Sequence, residues 1–561
     1  MRLHLNQPRN LRRRGNRNIF QKGDAMNLTF PKWVWAVALV VPLLSALPLL
    51  AGYASSQSPE KIFMGFDFID DFHYYGSYIY SYMQSPLDFF IENRATSEEQ
   101  SGVFFFPVFW VMGLLANIIG IPLAFAFVRF LLAAGVIIAL WKVLGHIFTN
   151  PLERKTAFLL GAFGTGVGWI FWAAHQIFPR VPVLYSSDLT YSLGYTLFGY
   201  LTFPLSIAGE LIFLGMVLTL YRQHTKPAVK NILIFSALGA LLFFVHPISA
   251  LTFLPVIGFG LILFVLDHPS RERVDYFKQF GLGFVLMAIP VLLYLFWAFS
   301  DNVFTQTFFS YGLWLRSESP FWWLIGYGLI LVLSVLGIRH VKIENPVMRA
   351  VVWAWLLVVL VLSLNPWKGL RFQHALFLPL IILATFGLRA LSEHFQLHFP
   401  KVSWLHFSKL STILLVLMIP SFVLITFTHI NDVTNPNFHS GPYLSENEIA
   451  AMKFLENESP GIVLSSYKSG NNLIWMTPHR AYLGHWNQTI AREERLASVE
   501  KFFSVDTTQF ERRALLNDAG ISYVFYGPAE REWNDNMTSV LGELGLLIYS
   551  NDMVQLYQVS P

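Results

Sequence analysis

Long apolar runs separated by charged joints recur from residue 33 to residue 430. They fall at about 33–53, 122–144, 156–178, 196–221, 231–246, 248–266, 279–299, 321–338, 350–364, 373–389 and 410–430. A helix needs about 20 mostly apolar residues to cross a hydrocarbon core of roughly 30 Å. Only 13% of the 561 residues are charged, where a soluble chain carries roughly 25%. The chain is therefore expected to be mainly α and polytopic in a membrane, with about 11 transmembrane helices. Cysteine is absent, which excludes disulfides, thiolate catalysis and Cys-ligated metals.

The joints set an orientation. Residues 1–30 form a basic arm holding Arg2, Arg9, Arg12, Arg13, Arg14, Arg17 and Lys22, and Lys32 precedes the first span whether the chain starts at Met1 or Met26. Basic residues collect on the cytoplasmic side of membrane proteins, so the arm reads as cytoplasmic and no nucleic-acid partner is expected. Alternate joints then lie inside, with Lys142, Arg154 and Lys155, then Arg222, Lys226 and Lys230, then Arg271, Arg273 and Lys278. Two more inner joints carry Arg339, Lys342 and Arg349, and Arg389, Lys401 and Lys409. The outer joints are poorer in cations. Counting 103–119 as a further span would invert every later joint, so 104–119 is read as a juxtamembrane or re-entrant helix on the outer side. A membrane part over 31–430 follows, with a large first outer loop at 54–121 and an extracytoplasmic C-terminal region at 431–561.

That C-terminal region changes character. Asn435-Pro436-Asn437 opens a polar stretch with no spanning segment. Ser445 followed by Glu448 is a capping-box signature for a helix over 446–457. Apolar runs at 461–464, 521–526 and 553–559 read as strands, and 492–503 and 509–518 as helices. A small α/β domain is expected.

The chemistry concentrates just past the first span, in Gly65-Phe66-Asp67-Phe68-Ile69-Asp70-Asp71-Phe72-His73-Tyr74-Tyr75. Carboxylates at a membrane boundary are costly unless solvated, paired or used. Asp70 and Asp71 suit a general base or, together, a divalent cation; a solvated loop is the ordinary alternative. Tyr74 and the tyrosines beside it also fit an interfacial aromatic belt in contact with membrane lipids. Lys368 and Arg371 stand in an outer joint against the local bias, and cations there suit a lipid phosphate. His246, Asp188 and Glu98 are further groups expected on the same side. A Gly-rich run, Gly161, Gly164, Gly166 and Gly168, lacks the Lys-Ser/Thr of a phosphate loop and reads as close helix packing.

The acidic pair after the first span, the aromatic-Pro stretch Phe104-Phe105-Phe106-Pro107-Val108-Phe109-Trp110, Arg129 in the next span, and Lys368-Gly369-Leu370-Arg371-Phe372 before Leu378-Pro379-Leu380 together resemble the GT-C membrane glycosyltransferases. Among these are the protein O-mannosyltransferases, the aminoarabinose transferase of lipid A and the rhizobial lipopolysaccharide glycosyltransferases. The resemblance is best over 65–145. It implies a polyprenyl-phosphate sugar as donor and a lipid, glycan or protein acceptor at the outer face. Asp70 takes the place of the family's first-loop acid and Asp71 that of the next acid. Lys368 and Arg371 take the place of its lipid-phosphate contacts. Asp188, His246, Glu98 and Tyr74, from their expected outer position, are candidates to contact acceptor or sugar. The familiar Pro-Pro-Leu is here Phe106-Pro107-Val108, and the Trp-Trp-Asp-Tyr-Gly signature of oligosaccharyltransferases is absent. A transporter or flippase of lipid-linked sugars, or a non-enzymatic envelope assembly protein, is the competing class. A transporter needs ionisable groups near the bilayer midplane, and Glu210 is a rare one in these spans.

Overall fold

The computed structural model describes residues 30–559, except 57, 66–68, 105, 180–202, 222–227, 311–319, 365–369, 403–404 and 435–441. Among these, seven helices are long and apolar enough to cross a membrane. They are Ile121–Ile147, Pro204–Tyr221, Pro247–Asp267, Arg271–Ala298, Pro346–Ser363, Phe377–His398 and Phe407–Thr434. Two bent helix pairs are together long and apolar enough to cross, Lys32–Ser45 with Leu47–Ser55 and Pro151–Phe163 with Gly168–Ile177. The expected runs at 231–246 and 321–338 coincide with shorter apolar helices, Val229–Val245 and Leu329–His340. The fold is thus a helical, polytopic membrane bundle.

Both bends have local causes. The first, of 42°, falls at Ala46. Pro48 follows it, and a proline has no N–H to give the preceding turn. The carbonyl of Ser45, at this break, accepts from Nη2 of buried Arg129 at 3.4 Å. The second, of 54°, opens the run expected to be continuous over 156–178, at Gly164 to Val167. A Cβ on Gly166 would stand 2.3 Å from the Ile325 carbonyl oxygen. The Gly166 carbonyl accepts from Ser421 Oγ at 2.8 Å and Val167 N–H donates to Ile325 at 3.0 Å. The glycines therefore serve close packing, as expected, but also break the helix so that its freed backbone groups bond to neighbouring segments.

The juxtamembrane segment forms a 13-residue helix, Pro107–Ile119. It packs between the Ile69–Gln84 helix and Ile121–Ile147. Its N-cap is Phe106 at φ 60°, a left-handed conformation that a bulky side chain rarely adopts.

In the C-terminal region, β3 (Ile462–Leu464), β4 (Arg480–Ala481), β5 (Ile521–Tyr526), β6 (Gly545–Ser550) and β7 (Gln555–Val559) form one sheet in the order β4-β3-β5-β7-β6. The β3 pairings are parallel and those of β7 antiparallel. Alternate residues of β5 feed opposite cores: Val524 and Tyr526 pack with Phe503 and Leu516, while Tyr523 and Phe525 pack with Leu473 and Leu556. The Ser445–Glu448 capping box is present, and the helices Arg492–Phe503 and Gln509–Asp518 lie over the residues read for them. The helix Tyr467–Met476 and strand β6 were not expected. The helix holds Gly470-Asn471-Asn472, weak helix formers, and is held by packing on Ile69–Gln84. Strand β6 lies at the sheet edge with Leu546 and Leu547 exposed, so no burial alternation marks it.

The sheet region is fastened to the first loop. A short β1 (Ile62–Phe63) pairs antiparallel with β2 (Tyr443–Leu444). Ala481 N–H donates to the Arg94 carbonyl at 2.9 Å, Arg94 Nη1 donates to the Thr477 carbonyl at 3.0 Å, and Tyr80 donates to the Glu456 carboxylate at 3.0 Å.

Candidate active site

A cavity of about 220 Å³ opens where the first loop, the ends of membrane helices and the C-terminal region meet. Its first wall is one face of the Ile69–Gln84 helix. Asp71, Tyr74, Tyr75 and Tyr78 line it, at the i, i+3, i+4, i+7 spacing that puts side chains in one stripe. Asp71 sits in the first helical turn, where a negative charge is favourable. Tyr74 and Tyr78 join hydroxyls at 2.8 Å. Burial pushes the Tyr78 phenol up to about 12, against the opposing Tyr74 hydrogen bond, so Tyr78 keeps its proton at neutral pH and remains a donor.

The second wall is apolar. Leu205, Ile248, Leu251, Phe304 and Phe372 line it. Leu205 stands in the first turn of Pro204–Tyr221, and Ile248 and Leu251 stand in the first turns of Pro247–Asp267. His246, the N-cap residue of that last helix, also lines the cavity, with Nδ1 2.7 Å from Ser249 Oγ.

The third wall is polar and was mostly missed in the sequence. It holds Asn93, Gln100, Asp301, His485 and Gln488. Gln100 and Asn93 exchange hydrogen bonds at 2.8 and 2.9 Å, and Asn93 Nδ2 donates to the Gln488 carbonyl at 3.0 Å. Asp301 accepts from Ser101 N–H at 2.8 Å, Ser101 Oγ at 3.0 Å and Phe304 N–H at 2.9 Å. Its signal, Ser300-Asp301-Asn302 before an apolar helix, was an N-cap pattern in an outer joint. Nε2 of His485 lies 3.7 Å from Oδ1 of Asp71.

Of the residues singled out in the sequence, Asp71, Tyr74 and His246 come together here. Asp70 is helical and Arg371 lies in the Leu370–Gln373 helix, directly before Phe372; the side chains of both lie outside the described part. Lys368 and Asp188 lie outside the described residues. Glu98 does not line the cavity. Its carboxylate pairs with Arg495 and Thr96, and its carbonyl accepts from Arg480 at 2.8 Å. Among the described residues no three His, Asp or Glu gather as a metal site, so Asp71 has no described set of co-ligands.

No family model and no curated protein matches the chain. Among solved structures, ArnT from Cupriavidus metallidurans in the apo state is 12% identical, with 92% of this chain and 98% of that chain covered and a TM-score of 0.49. The same protein bound to undecaprenyl phosphate covers the same shares at 12% identity and a TM-score of 0.45. The oligosaccharyltransferase AglB from Archaeoglobus fulgidus, in complex with an inhibitory peptide and a dolichol-phosphate, is 13% identical, with 91% and 72% covered and a TM-score of 0.44. Identities this low and scores below 0.5 describe a shared outline of helices and carry no residue-level correspondence.

Proposed function

We propose that the protein is a membrane glycosyltransferase that moves a sugar from a polyprenyl-phosphate donor to an acceptor hydroxyl on the extracytoplasmic face. One observation carries this reading. A carboxylate of the first loop, Asp71, lines the same cavity as apolar helix ends and Phe372, the residue after Arg371. Acid, apolar surface and a basic segment are the three things this chemistry needs in one place.

In this reading the acidic pair Asp70 and Asp71 draws the proton from the acceptor hydroxyl. The oxygen attacks the anomeric carbon from the side opposite the phosphate, inverting that centre. Lys368 and Arg371 neutralise the charge that develops on the departing polyprenyl phosphate. The apolar wall with Leu205, Ile248, Leu251 and Phe304 receives the first isoprene units of the donor. Asn93, Gln100 and Gln488 offer hydrogen bonds to sugar hydroxyls. A transporter would move the lipid-linked sugar unchanged, and an assembly protein would consume nothing.

The purified full chain in lipid nanodiscs, given a panel of polyprenyl-phosphate sugars and a membrane lipid extract as acceptor, is expected to release polyprenyl phosphate from one donor. Asp70→Asn and Asp71→Asn are expected to slow that release by about 10²- to 10⁴-fold while leaving folding intact. No donor consumed, or full activity in both variants, removes the proposal.

A further inference from the structure

His485 lies in the loop after β4 and is 1% exposed, yet among the described residues neither of its ring nitrogens has a hydrogen-bond partner. Buried polar atoms nearly always pair. His479, six residues earlier on the same segment, does so: Nδ1 accepts from Gly461 N–H at 3.1 Å and Nε2 bonds the Leu455 carbonyl at 2.8 Å. A histidine serving only as core looks like His479.

The unmet nitrogens of His485 belong to a residue that lines the cavity. Nε2 stands 3.7 Å from Oδ1 of Asp71, beyond the roughly 2.7–3.2 Å of a direct N–H···O bond. The gap does fit one bridging oxygen. An oxygen about 2.8 Å from each atom subtends roughly 80° between them, a workable hydrogen-bond arrangement. The imidazole is fixed by the Tyr74 ring, with centroids 5.4 Å apart. Its loop is tied to the first loop on both sides: before it, Ala481 N–H donates to the Arg94 carbonyl at 2.9 Å; after it, Thr489 Oγ1 donates to the Ala95 carbonyl at 2.6 Å and Asn93 Nδ2 to the Gln488 carbonyl at 3.0 Å. Gly484 N–H closes the loop on Thr489 Oγ1 at 3.0 Å.

We propose that His485 and Asp71 together form the acceptor-hydroxyl subsite, so that the C-terminal region contributes a substrate-contacting residue. This rests on the transferase reading and deepens it. The acceptor is an alcohol, a sugar hydroxyl or a hydroxyl-bearing side chain. Its oxygen accepts the Nε2–H of His485 and its hydrogen points at the Asp71 carboxylate. In the transfer the O–H bond breaks and its proton passes to Asp71. The oxygen forms the new bond to the anomeric carbon, and the carbon–phosphate oxygen bond breaks with its electron pair leaving on the phosphate. His485 keeps its proton throughout and fixes the direction of attack.

Two measurements on the full chain in nanodiscs test this. His485→Leu is expected to lower the rate of donor consumption by about 10- to 100-fold, with binding of undecaprenyl phosphate, used as probe, unchanged. His485→Gln, which restores an N–H donor, is expected to recover most of the loss. A cryo-EM map without substrate is expected to show an ordered water bridging Asp71 and His485. If the wild type consumes a donor and His485→Leu consumes it equally fast, the subsite fails and the transferase reading stands. A direct Asp71–His485 contact at hydrogen-bond distance with no bridging density also overturns the subsite, whatever the activity. Bridging density in a protein that consumes no donor keeps the hydroxyl-binding pair and removes the transferase reading.

Discussion

Gly76 and Trp475 touch: a Cβ built on Gly76 would stand 2.9 Å from Cβ of Trp475. The contact joins the cavity helix Ile69–Gln84 to Tyr467–Met476, and so the first loop to the C-terminal region. Cβ–Cβ contacts this short have no flexible side-chain end to yield. Gly76→Ala is therefore expected to push the two helices apart at a cost of roughly 1–3 kcal/mol. Thermal unfolding in detergent reads the loss. Because Asp71 and Tyr74 lie on the same helix, donor consumption should fall with it; an unchanged melting temperature means that the helices do not pack this closely.

Asp301 ties the first loop to the Asn302–Ser310 helix through three accepted hydrogen bonds. Asp301→Ala removes an N-cap and the acceptor that the Ser101 and Phe304 amides use, with an expected cost of roughly 2–3 kcal/mol. Asp301→Asn keeps an acceptor oxygen and should lose less. Hydrogen exchange at the first turn of that helix distinguishes a lost cap from a general loosening.

Glu98 is held by Arg495, which also donates to the Tyr482 carbonyl at 2.7 Å and Ser97 Oγ at 2.8 Å. The two side chains are 29% and 12% exposed, enough burial for charged hydrogen bonds to matter. Glu98→Ala is expected to destabilise by roughly 1–3 kcal/mol. Arg495→Lys is not expected to substitute for arginine, because one ammonium cannot reproduce the fork. If Glu98 bound sugar directly, Glu98→Ala would instead raise the donor KM at unchanged melting temperature.

Glu511 closes the capping box of Gln509–Asp518. Hydrogen bonds from Thr508, then its pairing with Lys501, pull its carboxyl from the ordinary 4.5 down to about 2. A carboxyl group lowered in the folded state binds fewer protons folded than unfolded, so stability rises with pH across that window. Its contribution is complete above 4.5 and is lost as pH falls through about 2. Amide protection of this helix should weaken over that range in the wild type. In Glu511→Gln, protection is expected to lack that pH dependence.

The places of the long helices could be read locally, because an apolar run of spanning length has few other homes. The same holds for the Ser445 and Thr508 caps, whose partners lie three residues away. The helix break at Gly166 could not be read in this way. The glycines were visible in the sequence, but the Ile325 backbone that needs the space was not. Nor could Tyr467–Met476 be read, since its stability comes from a surface almost 400 positions earlier in the chain.

By itself the sequence determined a polytopic helical chain, an acidic pair just past the first span, and a strand at 521–526, because each depends on residue spacing within one segment. Only the tertiary structure decided that Asp71, His246, Asp301 and His485 line one cavity. It also decided that Glu98 turns to Arg495 instead. Convergence of side chains depends on how segments pack, and for His485 the deciding packing is a set of side-chain-to-backbone hydrogen bonds between 93–96 and 488–490. No local pattern encodes those bonds.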